Sequence, residues 1–173
     1  MMKFVFVMLT LSPGTALALV TTPTPKPYRA VLDLLRTAAA DDRWPDTSPA
    51  RARQLIEGRT ITLANPATLT SRRRGPLANR LFPELAVALF ELERVLAPTA
   101  HAHSLAVRSS PRPPSSSVAV NVDARFAPHV DLGHGAGPEA SSLVVSLGVH
   151  TGGALAVPGA ELELRHRPVC IDG

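Results

Sequence analysis

The stretch SSVAVNVDARFAPHVDLGHGAGPEASSLVVSLGV, Ser116 to Val149, decides how the chain folds. Its two ends are valine-rich and alternating or continuously apolar, and the middle carries Pro128, Gly133, Gly135, Gly137 and Pro138. Runs of this kind read as two strands joined by a loop. The loop opens with His129 and Asp131, two residues apart. Extended backbone places residues i and i+2 on one side, so an imidazole and a carboxylate can converge on one ion. Such a pair supplies two members of a facial triad, the arrangement that leaves coordination positions open on non-haem iron. The other reading of the same residues has His129 capping a turn and Asp131 accepting backbone N–H bonds within the glycine loop.

Outward from this stretch, further strand candidates are HAHSLAVRS (101–109) before it and GALAVPG (153–159) and ELELRHRPV (161–169) after it. SSPRPPSSS between the first of these and SSVAVNVDARF is a loop. The upstream half is helical in pattern. YRAVLDLLRTAAADD (28–42) spaces Val31, Leu34, Leu35 and Ala38 along one face. Ser48-Pro49 reads as an N-cap followed by a first-turn proline, opening a helix through ARARQLIEG that Gly58 closes. TITLA (60–64) is a short β-branched strand. PELAVALFELERVLAP (83–98) has the clearest helical pattern, with Leu85, Leu89, Leu92 and Leu96 on one face, Pro83 in the first turn and Pro98 as the stop. Helices followed by a run of short strands predict an α+β fold with a sandwich- or barrel-like C-terminal half.

At 173 residues, 45% hydrophobic and 18% charged, the chain has the size and composition of one globular domain with a real core. With five Phe, one Trp and one Tyr, that core must be mainly aliphatic. A net charge of +4, carried almost entirely by arginine, does not call for a nucleic-acid partner. Cys170 is the sole cysteine, which excludes an internal disulfide and leaves the redox compartment open. The first eighteen residues carry a positive charge, an apolar run and the small-residue pattern Ala16-Leu17-Ala18, the features of a targeting peptide for the secretory route. A hydrophobic N-terminal strand or an organellar presequence are the other readings. The run is too short and interrupted to span a membrane, so no integral membrane segment is expected. Residues 19–27 form a proline-rich linker, and 28–173 a single domain.

The last third, NVDARFAPHVDLGHGAGPEASSLVVSLGVHTGGALAVPGAELELRHRPVCIDG, resembles the core of Fe(II)- and 2-oxoglutarate-dependent oxygenases of the prolyl 4-hydroxylase-like group. The likeness lies in order and spacing: an aromatic three residues before His-x-Asp, a strand ending in a small turn, then GG-x-L-x-V leading to R-x-R-P and an aspartate-glycine turn. It implies helices packed on a partial double-stranded β-helix, or jelly-roll, with His129 and Asp131 as iron ligands. It also implies Fe(II) as cofactor, 2-oxoglutarate as cosubstrate with ascorbate as a reductant, and a peptide or small molecule as substrate. The family's second histidine ligand and the basic residue that grips 2-oxoglutarate have no matching positions. Neither His150 nor His166 falls at the missing ligand, and Val120 stands where relatives carry a cosubstrate-contacting tyrosine. The resemblance therefore implies a domain incomplete at its C-terminus and without turnover, or a non-catalytic remnant or binding module.

Other constellations carry less. His101-x-His103 lacks an acidic or thiol partner close by in sequence. Gly133-x-Gly135-x-Gly137 has neither the lysine of a phosphate loop nor the spacing of a dinucleotide fingerprint. Arg72-Arg73-Arg74 reads as a solvated loop, Arg165 and Arg167 as a surface ladder, and Ser109 to Ser117 shows no arrangement for nucleophilic catalysis.

Overall fold

The computed structural model describes residues 4–9, 23–69, 75–102, 114–128, 141–148 and 154–172. Within them the fold is α+β. Helix α1, Lys26–Ala40, begins with Pro27 in its first turn, where a missing N–H costs nothing. It buries Tyr28, Val31, Leu32, Leu35, Ala38 and Ala39. Leu34 is only partly buried, so the apolar stripe is rotated slightly from the one the spacing predicts. Helix α4, Pro83–Leu96, buries Leu85, Ala86, Leu89, Leu92, Glu93 and Leu96, the expected leucine face with one carboxylate in it. The two helices pack on each other, and their apolar faces meet one face of a sheet. Short helices α2, Pro49–Ala52, and α3, Leu77–Leu81, lie between them in sequence.

The sheet has six strands in the order β2-β4-β1-β5-β8-β3: β1 is Phe4–Leu9, β2 Leu55–Ala64, β3 His101–Ala102, β4 Ser117–Phe126, β5 Ser141–Leu147 and β8 Val169–Asp172. Strand β1 is parallel to both β4 and β5, whereas β2 runs antiparallel to β4 and β8 antiparallel to β5. A separate hairpin joins β6, Leu155–Val157, to β7, Ala160–Leu162, through a turn whose Gly159 has φ +79°. No closed barrel forms among the described residues.

The central strands are buried on both faces, which explains why β4 and β5 read as near-continuous apolar runs. Val118, Val120 and Val122 of β4, Leu143, Val145 and Leu147 of β5, and Ile61 and Leu63 of β2 join the helices in the main core. As expected, that core is mainly aliphatic. The residues that alternate with them are different in kind. Ser117, Ala119 and Asn121 on β4, Ser142 and Ser146 on β5, and Thr60 on β2 are buried small or polar residues. Val144 belongs to that second face and packs with Leu164 and Val169 in a smaller cluster beside Leu155 and Leu162.

Two local readings are corrected. The helix opened by Pro49 lasts one turn, and the chain enters β2 at Leu55, well before the predicted TITLA. Arg51, Arg53 and Gln54 offer no apolar stripe to bury, so nothing sustains the helix. Gly58, read as its terminator, sits instead at a bulge where β2 slips register against β4, with φ +82°. A side chain there would collide with the Asp123 carbonyl, and Asp123 is itself left-handed at φ +48°. The second correction concerns 161–169, predicted as one strand. It ends as β7 at Leu162, meets β5 again at the Arg165–Ser146 bridge, turns at His166 with φ +55°, and Pro168 precedes the start of β8.

Candidate functional site

His129 and Asp131 lie outside the described residues, as do His150, the glycine loop and the Arg72–Arg74 cluster. The frame around His129 is nevertheless defined. Strand β4 pairs to its last residue, Phe126 opposite Leu55, and the next residue is fixed by Ala127 N–H donating to the Gln54 carbonyl at 2.8 Å. Pro128 follows at the surface. Because β4 and β5 are both parallel to β1, both leave the sheet at the same end. The chain after Phe126 and the chain after Leu147, where Gly148 has φ +96°, therefore start from one edge of the sheet.

Just inside that edge runs a row whose residue types are mostly polar. Register aligns Thr60 with Asn121, Asn121 with Met8, and Met8 with Ser146. Thr60, Asn121 and Ser146 are all buried. The Thr60 hydroxyl donates to Asn121 Oδ1 at 2.7 Å, a bond that keeps two polar groups compatible with burial. Further along β5, the buried Ser142 hydroxyl has no hydrogen-bond partner among the described residues. Arg165 bridges to Ser146, with the Ser146 N–H donating to the Leu164 carbonyl and the His166 N–H to the Ser146 carbonyl, both at 3.0 Å.

His166 belongs to the packing of α1. Its ring lies 5.0 Å from that of Tyr28, and the Tyr28 hydroxyl donates to the His166 carbonyl at 3.1 Å. Burial pushes the Tyr28 phenol above its ordinary pKa, because the phenolate would lose more hydration than the neutral form. The exposed Arg165 and Arg167 flank it. His101 forms the edge strand β3 with Ala102, pairing with Val169 of β8, and His103 lies outside the described residues.

Three polar features were not anticipated. The buried Glu93 carboxylate accepts from the Ser115 N–H at 3.0 Å and from its hydroxyl at 2.6 Å, fixing α4 to the approach to β4. Glu93 lies four residues after Leu89 and three before Leu96, so its place on the leucine face was visible in the sequence. Asn79 of α3 holds the end of β2, accepting from the Ala64 N–H and donating to the Ala64 carbonyl, each at 2.8 Å. Finally, a cleft of about 360 Å³ opens beyond α1, lined among others by Asp41, Asp42, Trp44, Asp46 and Arg59. Arg59 donates to the Ala39 carbonyl at 2.8 Å, and its guanidinium lies 5.1 Å from the Trp44 ring centre. Asp41 is chelated by Arg43 at 2.7 Å, and those hydrogen bonds hold its carboxyl down to about 2.

A His–Asp pair is a suitable donor set for Fe(II), yet it is two of the three ligands such a site uses. Among the described residues, no group of three or more His, Cys, Asp or Glu is placed to hold a metal ion. No helix among them is long and apolar enough to cross a membrane. In comparisons with known proteins, no family model, curated protein or solved structure matches the chain.

Proposed function

We propose that the chain is an Fe(II)- and 2-oxoglutarate-dependent oxygenase-like protein, with a partial jelly-roll core and with His129 and Asp131 as two metal ligands. The observation that supports this reading is the order of the motif along the fold. In sequence, His-x-Asp begins three residues after Phe126, the last residue of β4; the strands β4 and β5 leave the sheet at the same end, and the buried row of Thr60, Asn121 and Ser146 lies just inside that end. Bound iron with 2-oxoglutarate would supply activation of O2 for hydroxylation of a C–H bond in a peptide or small molecule, with ascorbate as reductant. The chain's own part is to present one imidazole and one carboxylate from the loop after a rigid strand. Two protein ligands hold a divalent ion loosely, so affinity is low and turnover by the 173-residue chain is not expected. A non-catalytic binding module is the second reading, favoured by the lack of a residue matching the family's second histidine.

Calorimetric titration with Mn(II) tests the ligand assignment: weak binding is expected in the parent and none in His129→Ala or Asp131→Ala. Unchanged affinity in either variant removes that residue from the site. Succinate production should stay at the level of a metal-only control. Succinate that appears, and disappears in both variants, would show that a further histidine of this chain or of a second copy completes the ligand set.

A further inference from the structure

The apolar hexapeptide Phe4–Leu9 has two incompatible uses. By sequence it reads as the hydrophobic part of a targeting segment with a cleavage pattern at Ala16-Leu17-Ala18; in the fold it is the strand between β4 and β5. We propose that it is a retained structural strand: the gap between β4 and β5 is a strand-acceptor slot, filled by this chain's own N-terminal segment and not vacated by cleavage.

The topology carries the first part of the case. Among the described residues, strands β4 and β5 do not pair with each other, and β1 lies between them in the sheet. It pairs with β4 at six positions, Phe4 opposite Ser117 to Leu9 opposite Val122. It pairs with β5 at five, Val5 opposite Leu143 to Leu9 opposite Leu147. Without it, the inner edges of β4 and β5 would lose their ladder partners where both strands are buried on both faces. Buried backbone N–H and C=O groups left unpaired are strongly unfavourable, and water cannot reach such a position without opening the core.

The residue types carry the second part. Val5, Val7 and Leu9 stand in register with Val118, Val120 and Val122 and with Leu143, Val145 and Leu147, the strand residues of the main core. Phe4, Phe6 and Met8 fall in the alternate rows, beside Ser117, Ala119 and Asn121 on one strand and, for Phe6 and Met8, Val144 and Ser146 on the other. In register, the larger residue types of the hexapeptide thus alternate into rows whose other members are mostly small. The hexapeptide carries no charged residue and no proline or glycine, so every position can join an interior ladder. The slot therefore selects an extended, uncharged, apolar segment running parallel to both neighbours.

The test is a cut in the intact folded chain. A protease site inserted between Val20 and Thr21 is cleaved after purification, and the products are separated by size and weighed under native conditions. The N-terminal fragment should remain bound, or its release should abolish the thermal transition; release with the transition unchanged overturns the proposal. In the uncut chain, Val7→Asp, which puts a charge in register between Val120 and Val145, should lower the melting midpoint by about 10 °C or more, while Val7→Ile stays close to the parent. A Val7→Asp variant that melts like the parent overturns it as well. So does a folded product from a secretory host that begins at Leu19; an intact mass that includes Phe4–Leu9 supports it.

Discussion

Tyr28 links the first helix to the segment between β7 and β8, and its chemistry sets a test at the scale of one atom. Its hydroxyl donates to the His166 carbonyl, and the same burial that makes the bond useful raises its pKa. A folded pKa above the unfolded value of 10.0 means that this contribution is complete below pH 10 and is lost as pH rises through the folded value. Tyr28→Phe should therefore cost about 0.5–1.5 kcal/mol by denaturant titration at neutral pH, and should flatten the loss of stability seen in alkali. Asp41 shows the opposite sign. Its carboxyl, depressed from 3.8 to about 2 by Arg43, favours the folded state above pH 3.8, and that contribution fades as pH falls toward 2. Carbon NMR should find the Asp41 midpoint near 2, returning toward 3.8 in Arg43→Ala. Because the pair lies at the surface, with Asp41 partly accessible and Arg43 exposed, the titration is the readout and global stability barely moves. Residue chemistry was only partly legible. His129 and Asp131 stand out by spacing and lie outside the described residues, whereas Glu93 shares a helical face with four leucines, and no motif marks it.

Elements were legible where one physical signal dominated. The leucine stripe of α4 and the valine runs of β4 and β5 each had a single period and clear stops, and they occur where expected. Around Gly58, two signals competed. A serine-proline start favoured a helix and glycine favoured its end, but β-branched residues beyond Gly58 paired with β4 and drew the strand back to Leu55. Long-range pairing of that kind leaves no mark within a local window. The same holds for β1, whose partners lie more than a hundred residues away. Gly58 now becomes the element's most specific position. Gly58→Ala would place a methyl group against the Asp123 carbonyl in a conformation that side chains rarely adopt, and should cost about 1–3 kcal/mol. Ala124→Gly on the opposite strand leaves the colliding backbone atoms of Asp123 and residue 124 in place and should recover none of the loss, as a double-mutant comparison by chemical denaturation can check.

For the molecule as a whole, one core draws on both termini. Residues of α1, α4, β2, β4, β5 and β8 fall in a single apolar cluster, and β1 joins the two halves of the sheet. Heating monitored by far-ultraviolet and near-ultraviolet circular dichroism should accordingly give coincident, single transitions; separated midpoints for the helical and sheet signals would divide the fold in two. The α+β class was legible because helical and strand periods segregate along the chain. The closure of the sheet by its first residues was not, since hydrophobicity alone cannot distinguish a targeting segment from a buried strand.

The central position of β1 has a consequence for the order of events during synthesis. Phe4–Leu9 leaves the ribosome before its partners at 117–122 and 143–147, which follow only after a further hundred residues and more have been made. At roughly 5–20 residues per second, the hexapeptide waits on the order of ten seconds for β4 and longer for β5. During that interval it is a nascent apolar tail, available to whatever in the cell captures such tails. The rate of translation between residues 9 and 147 then joins the final stability of the sheet in setting how many molecules reach the folded form.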